Sequence, residues 1–116
     1  MIFRLTVPRG ASAEILQTLQ VWRAAGEELA VSVDLATATV WIGMAPEQRN
    51  VDRFGELIAL AQNRRGHAVM FVAPSELKSG TDVWGPTSST LPLMRKIKQQ
   101  FDPRGILNPG RFIGGI

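Results

Sequence analysis

Residues 29–34 alternate without a break: Leu29, Val31 and Val33 on one side, Ala30, Ser32 and Asp34 on the other. Residues 38–44 repeat the period, with Val40, Ile42 and Met44 on one face and Thr39, Trp41 and Gly43 on the other. A period of two belongs to a half-buried strand. Two such runs joined by a short turn around Leu35-Ala36 predict a β-hairpin, which Pro46 ends. The apolar face of that hairpin has to be covered, and the flanking segments carry the residues to cover it.

Before the hairpin, Ile15, Leu16, Leu19 and Trp22 follow helical spacing, with Ser12 as the expected N-cap and Gly26 closing the segment. After it, Val51, Phe54, Leu57, Ile58 and Ala61 form the apolar stripe of a second helix expected over 50–65, with Gly66 as its stop. Two more strands bracket these elements. Phe3, Leu5 and Val7 share one face of a strand at 2–7, and His67 opens a strand over 67–73 that ends before Pro74. The order β-α-β-β-α-β predicts an α+β, ferredoxin-like fold: an antiparallel sheet with two helices on one face. Residues 1–74 make this core. Residues 75–116 add a Ser/Gly/Thr-rich connection over 75–90, a third helix over 91–101 and a turn-rich tail, expected to pack on the same single domain.

Composition narrows the chemistry. The 116 residues (12.7 kDa) suit one domain. With no cysteine, a disulfide scaffold, a thiolate metal site and a cysteine nucleophile are excluded, and a cytoplasmic setting is expected. One histidine, His67, argues against a multi-histidine metal centre. No apolar run approaches the ~18–20 residues that span a bilayer, and residues 1–7 lack the pattern of a secretory signal. The pI of 10.2 is mostly arithmetic. Ten arginines cancel ten acids, so the net +3 equals the lysine count, and the pI settles near a lysine pKa of about 10.4. The distribution says more: residues 1–94 carry a net −1 and residues 95–116 a net +4.

The basic tail holds two turns in succession. Asp102-Pro103-Arg104-Gly105 has the residues of a type I turn, and Asn108-Pro109-Gly110 those of a type II turn. Ile106 and Leu107 between them are expected to anchor in a core. The helix before them carries Leu93, Met94, Ile97 and Phe101 on one side, and Pro92 in its first turn, where a missing N–H costs little.

The run from Leu93 to Phe112, LMRKIKQQFDPRGILNPGRF, resembles the C-terminal signature of FAD-linked oxidases of the vanillyl-alcohol oxidase / p-cresol methylhydroxylase superfamily. The family pattern is a helix ending in Lys, then Asp-Pro, Gly, Leu-Asn-Pro-Gly and a basic residue. Each position is filled here, by Lys98, Asp102-Pro103, Gly105, Leu107-Asn108-Pro109-Gly110 and Arg111. The preceding β-α-β-β-α-β unit and the Trp84-Gly85 loop are similar in pattern to the cap domain of this family, in particular to the E subunit of glycolate oxidase.

The resemblance implies a cap that covers FAD bound by a separate N-terminal FAD-binding domain, and oxidation of a 2-hydroxy acid such as glycolate by hydride transfer to the flavin. No Gly-rich phosphate-cradling run is present, so FAD is expected in a full-length parent and none on this chain, which would not catalyse alone. The implied partners are the FAD-binding domain and other glycolate oxidase subunits, with no membrane segment. The histidine-rich metal motif of catalytic 2-hydroxy-acid dehydrogenases is missing, which implies a partner subunit, and no catalytic or metal-binding residue is assigned.

By resemblance, Asn108, Gly110 and Arg111 are the candidate cofactor-binding residues: an amide that can hydrogen-bond a flavin, a close-approach position, and a cation for a phosphate or carboxylate. The plain alternative is that Asn108 only starts its turn. Lys98, Arg104 and Arg111 are equally readable as solvated charges on a helix face and tail. Trp22 reads as packing, whereas Trp41 on the sheet face opposite the helices and Trp84 in the loop could meet a partner. A stand-alone module for RNA or a small ligand is the alternative reading, but RNA platforms need two or three aromatic rings on the inner strands, and Trp41 is the one ring expected there. An exposed sheet could also pair two copies of the chain.

Overall fold

The computed structural model describes residues 1–86 and 89–116. In chain order the elements are β1 (Ile2–Thr6), α1 (Ser12–Ala24), β2 (Leu29–Asp34), β3 (Thr39–Met44), α2 (Gln48–Gln62), β4 (His67–Val72), a single turn α3 (Ser75–Lys78) and α4 (Leu91–Phe101). The strands form one antiparallel sheet in the order β2-β3-β1-β4. This is the ferredoxin-like α+β arrangement that the alternation and the helical stripes predict.

The core lies between one sheet face and α1 with α2. Phe3 and Leu5 of β1, Val40 and Ile42 of β3, and Ala68 and Met70 of β4 meet Ile15 and Leu19 of α1 and Val51, Phe54, Leu57 and Ala61 of α2. Phe3 and Phe54 stack at 5.6 Å between ring centroids. Burying each of these large side chains contributes roughly 1.5–3 kcal/mol; Val40 and Ile42 of the hairpin are among them, while Leu29, Val31 and Val33 on the edge strand β2 pack against the core half-buried. Trp22 packs half-buried beneath Arg53, whose guanidinium lies 5.0 Å from its ring and reaches Glu27 and Glu56 at 2.6 Å each.

Four local expectations are corrected. Ser12 is the first residue of α1 rather than its cap, and its hydroxyl donates back to the Arg9 carbonyl at 2.7 Å. A 3₁₀ turn over Arg9–Ala11 runs straight into the helix and removes the need for a side-chain cap. The second helix starts at Gln48, two residues early, because the chain is already extended at Glu47; the buried Asn50 amide ties it to the Ala45 carbonyl at 2.8 Å. It stops through Arg65, which takes the left-handed position at φ 58° while the Gly66 N–H donates to Ala61 O at 2.9 Å. Gly66 is needed for space instead: a Cβ there would collide with the Thr6 carbonyl and Val7. Strands β1 and β4 each end one residue short of expectation, at Thr6 and Val72.

The hairpin turn is set by Asp34. Its Oδ1 accepts from the N–H groups of Ala36 and Thr37, and its Oδ2 from the Thr37 hydroxyl at 2.8 Å. The Thr37 hydroxyl, then the two N–H groups, hold this carboxyl below its ordinary value. On the other edge, the Met70 N–H donates to Val83 O at 2.8 Å, so the connection covers part of β4's free edge. That connection, expected as loop over 75–90, contains α3, and its residues 87 and 88 lie outside the described residues. Among the described residues no helix is long and apolar enough to cross a membrane.

Candidate functional site

Helix α4 and the tail after it form a unit organised by one carboxylate. Asp102 follows the helix directly and is buried. Its Oδ1 accepts from the Ile106 N–H at 3.0 Å, and its Oδ2 accepts from the Leu107 N–H at 2.9 Å and from Lys98 Nζ at 2.6 Å. The Lys98 ammonium also donates to the Leu107 carbonyl at 2.5 Å. These groups favour the charged carboxylate, Lys98 most and the Leu107 N–H next, and lower its pKa to about 2 against the opposing effect of burial. The Gly105 N–H closes the first turn on Asp102 O at 3.0 Å.

The second turn forms as its sequence predicts. Gly110 takes φ 71° and the Arg111 N–H donates to Asn108 O at 3.3 Å. Asn108 itself is left-handed at φ 45°. The tail then folds back: Phe112 meets Trp84 edge-on at 5.2 Å, and Arg95 reaches the Gly114 carbonyl at 3.3 Å. Trp84, read from the sequence as a residue that could meet a partner, is the loop's contact with the tail.

One expectation fails here. Ile106 and Leu107 do not enter a core; they are 62% and 58% exposed. The apolar side of α4 is also open, with Leu93, Ile97 and Phe101 exposed and only Leu91 buried. The physical reason is geometric. The Asp102 clamp turns the tail along α4 rather than over the sheet, so Leu107 meets Met94 and Ile97 across a shared groove instead of entering a closed core.

That groove, of about 720 Å³, is walled by Met94, Ile97, Leu107, Phe112 and Ile116, with Lys98, Asn108 and Arg111 as its polar groups. Of the candidate residues, Asn108 and Arg111 line this groove together, while Gly110 lines a neighbouring cleft with Trp84 and Phe112. A Cβ on Gly110 would touch nothing else in the chain. All three are exposed. The Lys98 ammonium is occupied inside the clamp, whereas the Arg111 side chain makes no hydrogen bond or ion pair with the described residues. Arg104 is exposed in the first turn, away from both sets.

The sheet face turned away from α1 and α2 carries a second constellation. Arg4, in the middle of β1, pairs with Trp41 on β3 and Val69 on β4. Its guanidinium carbon lies 6.0 Å from the Trp41 ring and 5.6 Å from the Phe71 ring, and the two rings meet edge-to-face at 5.1 Å. Trp41 is thus not alone on this face. Phe71 joins it by the plain alternation of β4, which sets His67, Val69 and Phe71 opposite the core residues Ala68 and Met70; the register shifts only beyond Met70, where Ile2 pairs with Val72 and Phe3 with Met70. Both were legible in the sequence: the two-residue period of residues 67–71 and an arginine between Phe3 and Leu5 on an inner strand. His67 opens β4 on the same face, exposed, opposite Thr6. Among the described residues no three His, Asp or Glu side chains converge as metal ligands.

No curated protein and no solved structure matches the chain significantly. The family described as FAD linked oxidases, C-terminal domain, matches residues 85–112, about a quarter of the chain. The matched span holds α4, the Asp102 clamp and both turns, and so the segment with the most specific local geometry in this chain is the one that supports a C-terminal domain of FAD-linked oxidases.

Proposed function

We propose that this chain is the cap domain of an FAD-linked oxidoreductase acting on a 2-hydroxy acid such as glycolate, of the glycolate oxidase E-subunit type, and that it is inactive without an FAD-binding domain. The observation that carries the reading is the α4–tail unit: an internally clamped double turn that presents Asn108 and Arg111 beside an uncovered apolar groove. In this reading residues 1–74 and 75–116 act as one domain, whose groove faces the FAD-binding domain.

The donor set suits one edge of a flavin. Asn108 offers an amide, Gly110 leaves room for close approach, Arg111 offers an unpaired cation, and Met94, Ile97 and Phe112 offer apolar walls. In this reading a separate FAD-binding domain holds the rest of the cofactor. When bound, FAD supplies the hydride acceptor. The residues here orient the ring edge, exclude water from the groove and balance negative charge at the cofactor or substrate. Other glycolate oxidase subunits are the proposed further partners, in the cytoplasm.

The test is isolation of the native polypeptide from its source cells with an antibody raised against this chain. The reading expects a band well above 12.7 kDa, or a co-purifying flavoprotein, with a flavin absorbance that glycolate bleaches anaerobically. A band at the mass of this chain with no flavin would overturn it.

A further inference from the structure

We propose that the sheet face opposite the helices is a carboxylate-binding site, with the Arg4 guanidinium as anchor and Trp41 and Phe71 as its walls. Naming the ligand as the 2-hydroxy acid rests on the function proposed above; the carboxylate anchor itself rests on the sheet alone.

Arg4 is a charge on an inner strand with no countercharge. Its side chain makes no ion pair or hydrogen bond with any described residue, and its Nε is buried without a partner among them. The one acid in the four strands, Asp34, lies two strands from β1, on the edge strand of the Thr39–Thr6 row, and its carboxylate is taken up by its own turn. A buried N–H left unmade is costly, so the site is incomplete as it stands. The two rings hold the guanidinium through their faces, which restricts its orientation and strips part of its water. A fixed, partly dehydrated guanidinium is suited to a planar, two-oxygen acceptor.

The surroundings choose the size and charge of that acceptor. Arg4 is the only Lys or Arg in the four strands. One cation balances a monocarboxylate; a nucleic-acid strand needs a series of them. The next row along the sheet holds Thr6, paired with Thr39 and with His67. Same-face rows lie about 7 Å apart. A two- or three-carbon hydroxy acid anchored at Arg4 therefore brings its hydroxyl toward the Thr6 and His67 side chains.

The experiment is an NMR titration of the 116-residue chain, following the Arg4 Nε–H and Trp41 indole N–H with glycolate, acetate and inorganic phosphate. Saturable shifts of both signals with glycolate are expected, with Arg4→Gln weakening binding by about tenfold or more. A response to glycolate only at Arg111, an equal response to phosphate, or a self-association that buries Arg4 would overturn the proposal without touching the function above. Equal binding of acetate and glycolate would support the carboxylate anchor and count against a 2-hydroxy acid as its ligand. In the native flavoprotein, glycolate bleaching with an Arg4→Gln KM unchanged from wild type would leave the oxidase reading standing and remove the anchor.

Discussion

Lys98 Nζ lies 2.6 Å from Asp102 Oδ2, one helical turn along α4, and the same carboxylate receives the N–H groups of Ile106 and Leu107. A single buried acid thus joins the last turn of the helix to the start of both tail turns. This pair gives the tail its course and leaves Leu107 in the groove.

Its pH dependence has a definite sign. The Asp102 carboxyl titrates at about 2 in the folded chain against 3.8 as its ordinary value. A depressed acid contributes its full stabilisation above the unfolded value and loses it as pH falls through the folded one. Hydrogen-exchange protection of the Ile106 and Leu107 amides is therefore expected to hold at pH 5 and above and to fade between about pH 4 and 2. Asp102→Ala is expected to abolish that protection at every pH while leaving the β1 amides protected. Unchanged protection in the variant would refute the clamp.

At the end of α2 two neighbouring substitutions are expected to act in opposite directions. Arg65→Gly relieves a left-handed non-glycine residue and should stabilise by about 1 kcal/mol. Gly66→Ala drives a methyl into the Thr6 carbonyl and Val7 and should destabilise by about 1–3 kcal/mol. Urea denaturation of the two variants reads both signs.

The Phe3–Phe54 stack ties β1 to α2. Phe54→Ala is expected to cost about 3–5 kcal/mol, a large share of the roughly 5–15 kcal/mol that holds a domain folded. Thermal melts should show the loss. Phe101→Ser, at a side chain 78% exposed, should stay within about 0.5 kcal/mol of wild type. A large loss there would mean that α4 packs on the domain more closely than the structure has it.

Arg53 joins Glu27, Glu56 and the Trp22 ring, and the two acids raise its pKa, Glu27 first. Arg53→Ala should destabilise by about 1–2 kcal/mol through lost charge-assisted hydrogen bonds and lost cover over Trp22. The coupling between Arg53 and Glu27 in a double-mutant cycle should shrink as salt is added.

The local periods of this chain determined its elements by themselves. Alternation at 29–34 and 38–44, helical spacing in the two stripes and the Pro-Gly turns are local facts of side-chain geometry, and α4 appears over the expected residues 91–101. The signature from Lys98 to Arg111 is local too, because Asp102 reaches partners no more than five residues away. Tertiary structure decided the rest. Apolar character made Ile106 and Leu107 read as core, yet burial depends on whether another surface arrives, and none within the described residues does. The pairing of Arg4 with Trp41 and Phe71 depends on strands nearly forty and seventy residues apart that the sheet brings side by side. Periodicity reports which face a side chain takes on its own strand, whereas the register between distant strands is set only when the sheet closes.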